Sequence, residues 1–275
     1  MTQTTTRTIT ARDGATLFLR EWTPAGVSRA ALLLCHGLGE HSGRYAHVAE
    51  RLAGIGITVW AHDHRGHGQS SGARGALASS DDLVVDAEQV LVELAGATGH
   101  VPFIAGHSMG GPVAGMVALR GKVPVRGLIL SSPALMTRAA GGLVAFGKVM
   151  AKVAPNMAMS NQLQVEYVAR DLAVVDAYRK DPLVHPTITP RLFAWIVNTG
   201  KALREAAPGW KTQTLVLFAG ADRLVDPAGA RAFVAALPTG IGVAHEYPAF
   251  YHEIFNDPEK DAPLGDLEAW LMPRI

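Results

Sequence analysis

The stretch that most constrains this chain is Val101-Pro102-Phe103-Ile104-Ala105 followed by Gly106-His107-Ser108-Met109-Gly110 and then Gly111-Pro112-Val113-Ala114-Gly115. An apolar strand runs into G-x-S-x-G and straight into an alanine- and valine-rich helix, the context that makes this motif a nucleophile elbow. A serine hydroxyl attacks poorly unless it is held off the surface beside a base, and a sharp strand-to-helix turn does this with a strained serine. Glycines two residues to either side let strand and helix pass closely. With 29 glycines in 275 residues the pattern alone can arise by chance, so the flanking strand and helix carry the argument.

An elbow of this kind requires parallel strands alternating with helices, and the flanking sequence supplies them. Two short alternating segments, 8–12 and 16–22, flank the turn signal Asp13-Gly14 and open the sheet as a hairpin. Residues 29–35 and 57–61 are continuous apolar runs separated by a helical pattern over 45–53, which implies buried parallel strands joined by helices. A second helix is expected over 81–94, and a further strand over 125–130. After Ser131-Ser132-Pro133 the alternation stops for some 75 residues rich in Met, Ala and Val, then resumes with a strand over 214–218, a helix over 228–236, a strand over 243–247 and a last helix over 259–271. The expected architecture is α/β: a mostly parallel central sheet flanked by helices, its core formed by 1–132 and 210–275, with an inserted helical cap at 133–209.

In such a sheet the serine's partners follow in the order acid, then histidine, each at the C-terminal end of a later strand. Two histidines come late enough. His245 lies inside the strand over 243–247, whereas His252 falls in the loop just beyond it and is the expected general base. Asp222 and Asp226 both follow the strand over 214–218. Asp222 stands nearer the strand tip and is preferred as the acid that fixes the imidazole tautomer; Asp226, ahead of Pro227, reads as a helix N-cap. The tetrahedral oxyanion needs two donors, expected from the backbone N–H of Met109, after the serine, and of Leu38 in the loop His36-Gly37-Leu38-Gly39-Glu40-His41.

Other chemistry is less well supported. Cys35, the single cysteine, sits in an apolar strand, which makes an internal disulfide impossible and a buried, inert thiol the expectation. His62, His64 and His67 have a spacing that could ligate zinc, but Gly66 stands where a binuclear metallohydrolase motif needs Asp, and Asp63 and Arg65 read better as braces of a glycine-rich loop. No metal or other cofactor is called for. A net charge of +1 without a basic stripe argues against nucleic acid and suits a neutral substrate. The start lacks a hydrophobic leader and no apolar run reaches the ~18 residues of a membrane span, so the expectation is a soluble, cytoplasmic protein, at most peripherally associated with membranes. Leu143, Phe146, Met150, Val153 and Met157 recur every three or four residues. That stripe either packs the cap onto the core or, in part, lines an acyl tunnel, with Phe146 and Met150 touching the substrate chain, or rests on lipid, with Lys148 and Lys152 facing anionic head groups.

The blocks His36 to Tyr45, Asp63-His64-Arg65-Gly66-His67-Gly68-Gln69-Ser70, Gly106 to Gly111, Tyr178 to Val184, Ala221-Asp222-Arg223-Leu224 and Tyr251-His252-Glu253 together resemble the monoacylglycerol lipase family of α/β-hydrolases over nearly the whole chain. The resemblance implies a serine hydrolase that cleaves monoacylglycerol to glycerol and a fatty acid through an acyl-enzyme, with Ser108, Asp222 and His252 as the triad. It also implies that Glu40, Arg44 and Tyr178 shape the polar end where glycerol sits. The family often carries a second histidine three residues after the catalytic one; here Phe255 stands there. A broader carboxylesterase, lysophospholipase or thioesterase would use the same machinery, and a catalytically dead binding module would not preserve it.

Overall fold

In the computed structural model, which describes residues 2–275, one eight-stranded sheet runs in the order β1-β2-β4-β3-β5-β6-β9-β10. The strands are β1 (Gln3–Thr10), β2 (Thr16–Thr23), β3 (Ala30–Cys35), β4 (Ile57–His62), β5 (Phe103–His107), β6 (Leu128–Ser131), β9 (Thr214–Ala219) and β10 (Gly242–Tyr247). β1 and β2 form the antiparallel hairpin, β2 joins β4 antiparallel, and every remaining pair is parallel. The helices α1 (Ala46–Gly54) and α8 (Asp261–Leu271) cover one face, and α2 (Asp82–Thr98), α3 (Gly110–Arg120) and α7 (Ala228–Ala236) the other.

The continuous apolar runs make sense once both faces are covered. Along β3, Ala31, Leu33 and Cys35 enter the core beneath α2 and α3, while Ala30, Leu32 and Leu34 enter the core beneath α1 and α8. β9 divides the same way, Val216 and Phe218 against Leu215, Leu217 and Ala219. A strand buried on both sides has no polar face, so it reads as a hydrophobic block. Burial pushes the Cys35 thiol up to about 12, which leaves it protonated and unreactive at neutral pH.

Some boundaries differ from expectation. β1 begins at Gln3 rather than Thr8, because the threonine-rich edge strand is exposed on almost every residue and is held by backbone pairing, Thr10 opposite Thr16 through Gln3 opposite Thr23. β6 starts at Leu128 rather than Val125, and α2 runs on to Thr98 before Gly99 turns left-handed. Between β6 and β9 the chain forms α4 (Gly141–Val153), α5 (Leu172–Lys180) and α6 (Pro190–Ala206), with a two-residue antiparallel pair, β7 (Met159–Ser160) and β8 (Thr187–Ile188). That pair has no strand-like pattern in the sequence to reveal it. No helix among the described residues is long and apolar enough to cross a membrane.

Candidate active site

Ser108 sits between β5 and α3 with φ at 51°, the left-handed region that a non-glycine residue enters only at a cost. Tight contacts on all sides hold it there. A Cβ at Gly106 would overlap the Gly110 carbonyl, and one at Gly110 would overlap the carbonyl of Cys35 at the end of β3. The Ser108 N–H donates to Ser131 O at 3.0 Å, and its own carbonyl accepts from Gly111 and Ala134, each at 3.0 Å. The turn is therefore tied to β6, to α3 and to the start of the helical segment.

The loop after β3 lies directly against this serine: a Cβ at Gly37 would come within 3.2 Å of Ser108 Cβ and 2.7 Å of Glu40 Oε1. Glycine at position 37 is what permits this approach. The N–H groups of Leu38 and Met109 find no acceptor among the described residues, and both residues line the same cavity as Ser108. Loop shape is enforced from below. His36 Nε2 accepts from His64 N–H at 2.9 Å, so its Nδ1 carries the proton that goes to Gly37 O at 2.8 Å. Asp63 accepts at Oδ1 from Ser42 N–H and Oγ, and at Oδ2 from Gln69 N–H at 2.8 Å. Arg65 is bidentate to Asp86, both bonds 2.7 Å. The rings of His62, His64 and His67 pack on one another and on His36 and His185. Among the described residues no group of three or more His, Cys, Asp or Glu side chains could hold a metal ion.

Farther along the same sheet, Asp222 follows β9 and His252 follows β10, both essentially buried. His252 Nδ1 donates to Asp222 Oδ2 at 2.6 Å, while Asp222 Oδ1 accepts from the N–H groups of Leu224 at 2.8 Å and Val225 at 3.0 Å. Burial opposes charge on the imidazole, but the Asp222 carboxylate, its hydrogen bond and the nearby carboxylates of Glu253 and Glu40 outweigh it, and the pKa of His252 is raised. Burial likewise works against ionisation of Asp222; the imidazole and the two backbone donors reverse this and hold its carboxyl below the usual carboxylate range. Asp226 does something else: its Oδ1 accepts from Ala228 N–H at 3.0 Å, tying down the start of α7. His245 is on β10, half-exposed, with Nδ1 3.4 Å from Asp266.

The cavity encloses about 360 Å³ and is lined by Ser108, Leu38, Met109 and His252 on the sheet side. Glu40 and Tyr178 line it too; Arg44 stands just behind them, with its guanidinium 4.6 Å above the Tyr178 ring and 2.7 Å from Glu40 Oε2. Its opposite wall comes from the helical segment, with Ile188 and the α6 side chains Phe193, Ile196 and Val197. Phe146 and Met150 are not in that wall. From the α4 stripe only Leu143 reaches it: Gly147 lies flat against Phe193 of α6, Phe146 is 53% exposed and Val153 75%, and Met150 is half-buried outside the cavity.

A family model described as serine aminopeptidase, S33 matches residues 26–259. A monoacylglycerol lipase of Mycolicibacterium smegmatis is 35% identical, the match covering 92% of each chain. The chain belongs to this family of α/β-hydrolases. Within the family, a monoglyceride lipase of Rattus norvegicus is 32% identical over 96% of this chain and 89% of its own. The crystal structure of a Paleococcus ferrophilus monoacylglycerol lipase superposes with a TM-score of 0.87 at 32% identity, over 94% of this chain and 99% of the other. Sequence reasoning gave no role to the wall residues Ile188, Phe193 and Ile196, nor to Glu253, which it saw only within the block Tyr251-His252-Glu253. Glu253 forms two bonds to the Arg44 guanidinium, one of 2.7 Å, and the only signal was its place immediately after His252.

Proposed function

We propose that the chain is a serine hydrolase that cleaves monoacylglycerols to glycerol and a fatty acid through an acyl-enzyme on Ser108. One observation carries the reading: a strained serine and a buried histidine, itself bonded to a buried aspartate at 2.6 Å, face one cavity with a polar end and an apolar wall. His252 Nε2, free because Nδ1 is committed to Asp222, takes the Ser108 proton as the hydroxyl attacks the ester carbonyl, and returns it to the leaving glycerol oxygen. Water repeats the cycle on the acyl-enzyme. The Leu38 and Met109 N–H groups receive the oxyanion, and their lack of an internal acceptor is what such a role requires. Glu40, Arg44 and Tyr178 shape the end that holds glycerol, and Ile188, Phe193 and Ile196 the path of the acyl chain.

The substrate class rests on the relatives named above together with this division of the cavity into polar and apolar ends. Residues 133–209 act as a cap. Its helix α4, which has no buried residue and exposes Leu143, Phe146, Val149 and Val153 beside Lys148 and Lys152, makes transient contact with lipid. A rate panel of monoacylglycerols, diacylglycerols, lysophospholipids and short aryl esters tests the reading. Highest kcat/KM on monoacylglycerols is expected, and a preference for aryl esters or lysophospholipids overturns it.

A further inference from the structure

The elbow and the triad leave several buried titratable groups unused, Glu253, His107 and Asp257 among them. Glu253 is 5% exposed and lines the cavity beside His252, yet it is neither acid nor base in the reaction above. Its two carboxylate oxygens grip the two terminal nitrogens of Arg44, and Oε2 also accepts from Asn256 Nδ2 at 2.9 Å. The same Arg44 donates to Glu40 Oε2 at 2.7 Å, and the other Glu40 oxygen accepts from Gly37 N–H and from Tyr45 Oη, both at 2.6 Å. Gly37 immediately precedes Leu38. A continuous chain of charge-assisted bonds therefore runs from the loop carrying the general base, through Glu253, Arg44 and Glu40, to the loop carrying an oxyanion donor.

We propose that Glu253 is a positioning residue that locks the Gly37-Leu38 loop to the His252 loop, fixing the distance between oxyanion donor and base. The proposal rests on the roles given above to Leu38 and His252. Without Glu253, Arg44 holds Glu40 alone, and the two loops, which come from opposite halves of the sheet, lose their common anchor. Such bonds are strong because both partners are ionised and desolvated. The groups facing His252 are few: Asp222 from the loop after β9, Glu253 from its own loop, Glu40 from the loop after β3, and His107 from β5, with its ring 4.7 Å away; Arg44 stands behind, bonded to both Glu40 and Glu253. Burial, with the nearby His252, pushes His107 down to about 3, so it stays neutral and leaves the balance to the carboxylates. Glu253 thus also supports the protonated form of His252, a second effect that a purely structural contact would not have.

The test uses a soluble butyrate aryl ester, which has no glycerol, so failure of the monoacylglycerol reading does not affect it. Glu253→Gln keeps size and removes charge. The expected result is a fall in kcat on the order of 10², the scale of a misplaced reacting group, with KM little changed and the acid limb of kcat/KM moved to lower pH. Glu253→Asp, which keeps the charge but draws it back, should lose kcat while leaving the acid limb in place. Unchanged kcat in the glutamine variant overturns the proposal. So does a loss confined to KM, or a loss of kcat with an unmoved acid limb. If the glutamine variant does not fold, the aspartate variant decides: wild-type kcat there overturns the proposal. Ser108→Ala run alongside separates this from a wrong triad, since residual turnover in that variant would condemn the triad rather than Glu253.

Discussion

The two walls of the cavity are held by different physics. On the sheet side nearly every charged group is buried and answered: Asp222 by His252 and two backbone N–H groups, Asp63 by Ser42 and Gln69, Arg44 by Glu40 and Glu253. Across from it the wall is apolar, built by Ile188, Phe193 and Ile196. Helix α4, which packs on α6 and reaches the cavity only through Leu143, has no buried residue at all and turns most of its apolar side chains to solvent. Directional bonds in a desolvated setting fix atoms to fractions of an ångström, as a reaction with three aligned groups demands. Apolar contact has no preferred direction and lets a wall adapt to chains of different shape. Substitutions on the two walls should therefore fail in different ways.

The largest effect should come from Ser108→Ala, which removes the nucleophile and should cost about 10⁶ in kcat. Because position 108 is strained whatever its side chain, the variant should melt close to wild type. Substantial ester hydrolysis by the pure, folded variant would break the sheet-side account at its root. Next, Asp222→Asn should lower kcat by roughly 10⁴, since the amide can present the wrong donor to His252 Nδ1 and trap the other tautomer. Asp226→Ala, by contrast, should leave kcat alone and cost about 1 kcal/mol of stability as a lost helix cap. Measuring both rates and both melting curves checks whether the two neighbouring carboxylates divide chemistry and stability as their bonds indicate; the reverse ranking would move the acid to Asp226.

How much of this was readable beforehand follows the same divide. The elbow, the two-sided strands and the order serine, aspartate, histidine are written in local patterns, because a strand buried on both faces and a turn needing glycine at fixed offsets leave few residue choices. The partner of Arg44 was not legible, because Glu253 lies 209 residues away and only folding brings the pair together. Phe146 and Met150 illustrate the opposite limit. Their helical spacing announced a face correctly, but spacing says nothing of which way a face turns, and it is Gly147 that meets Phe193 of α6. The β7 and β8 pair is shorter than any period that could signal it.

Acid should separate the walls again. His62 is held at about 4, His67 and His107 at about 3, and His36 and His64 well below the usual range, in every case chiefly by burial. All five are neutral when folded and take up protons near pH 6.5 when unfolded. Stability is then complete above that pH and lost as pH falls, by up to about 1.4 kcal/mol per unit for each histidine. His252 runs the other way: its raised pKa adds stability that is present below the unfolded value and lost as pH rises through the folded one. Burial lowers His47 and His185 as well, and seven against one gives a net loss in acid. Melting temperature should drop steeply between about pH 6 and pH 5, and replacing exposed Lys148 on α4 should not alter that slope. A melting temperature flat across this range would mean that the buried histidines are not neutral. Activity gives an independent reading: kcat/KM should rise with pH through a value above the ordinary histidine range, because only neutral His252 can act as base.

The smallest expected effect is on α4 and bears most directly on the comparison. Phe146 and Val153 are exposed, so changing either to Ser removes little that the fold uses, within about 0.5 kcal/mol for a surface site. Met150 is half-buried, and Met150→Ser should cost somewhat more. If α4 rests on lipid, each lost side chain removes apolar surface that would otherwise leave water on contact. Fully burying a phenylalanine contributes about 1.5–3 kcal/mol, and the half of Phe146 still exposed corresponds to roughly tenfold in binding to a lipid surface. Phe146→Ser and Val153→Ser should thus lower the rate on dispersed long-chain monoacylglycerol several-fold while sparing a soluble butyrate ester, and sedimentation with vesicles should fall in step. Were both rates to drop together with melting temperature, the stripe would be packing rather than a contact surface. Were neither rate to move, α4 would not be the surface that meets lipid, and the adaptable apolar surface would be the cavity wall of Ile188, Phe193 and Ile196 alone.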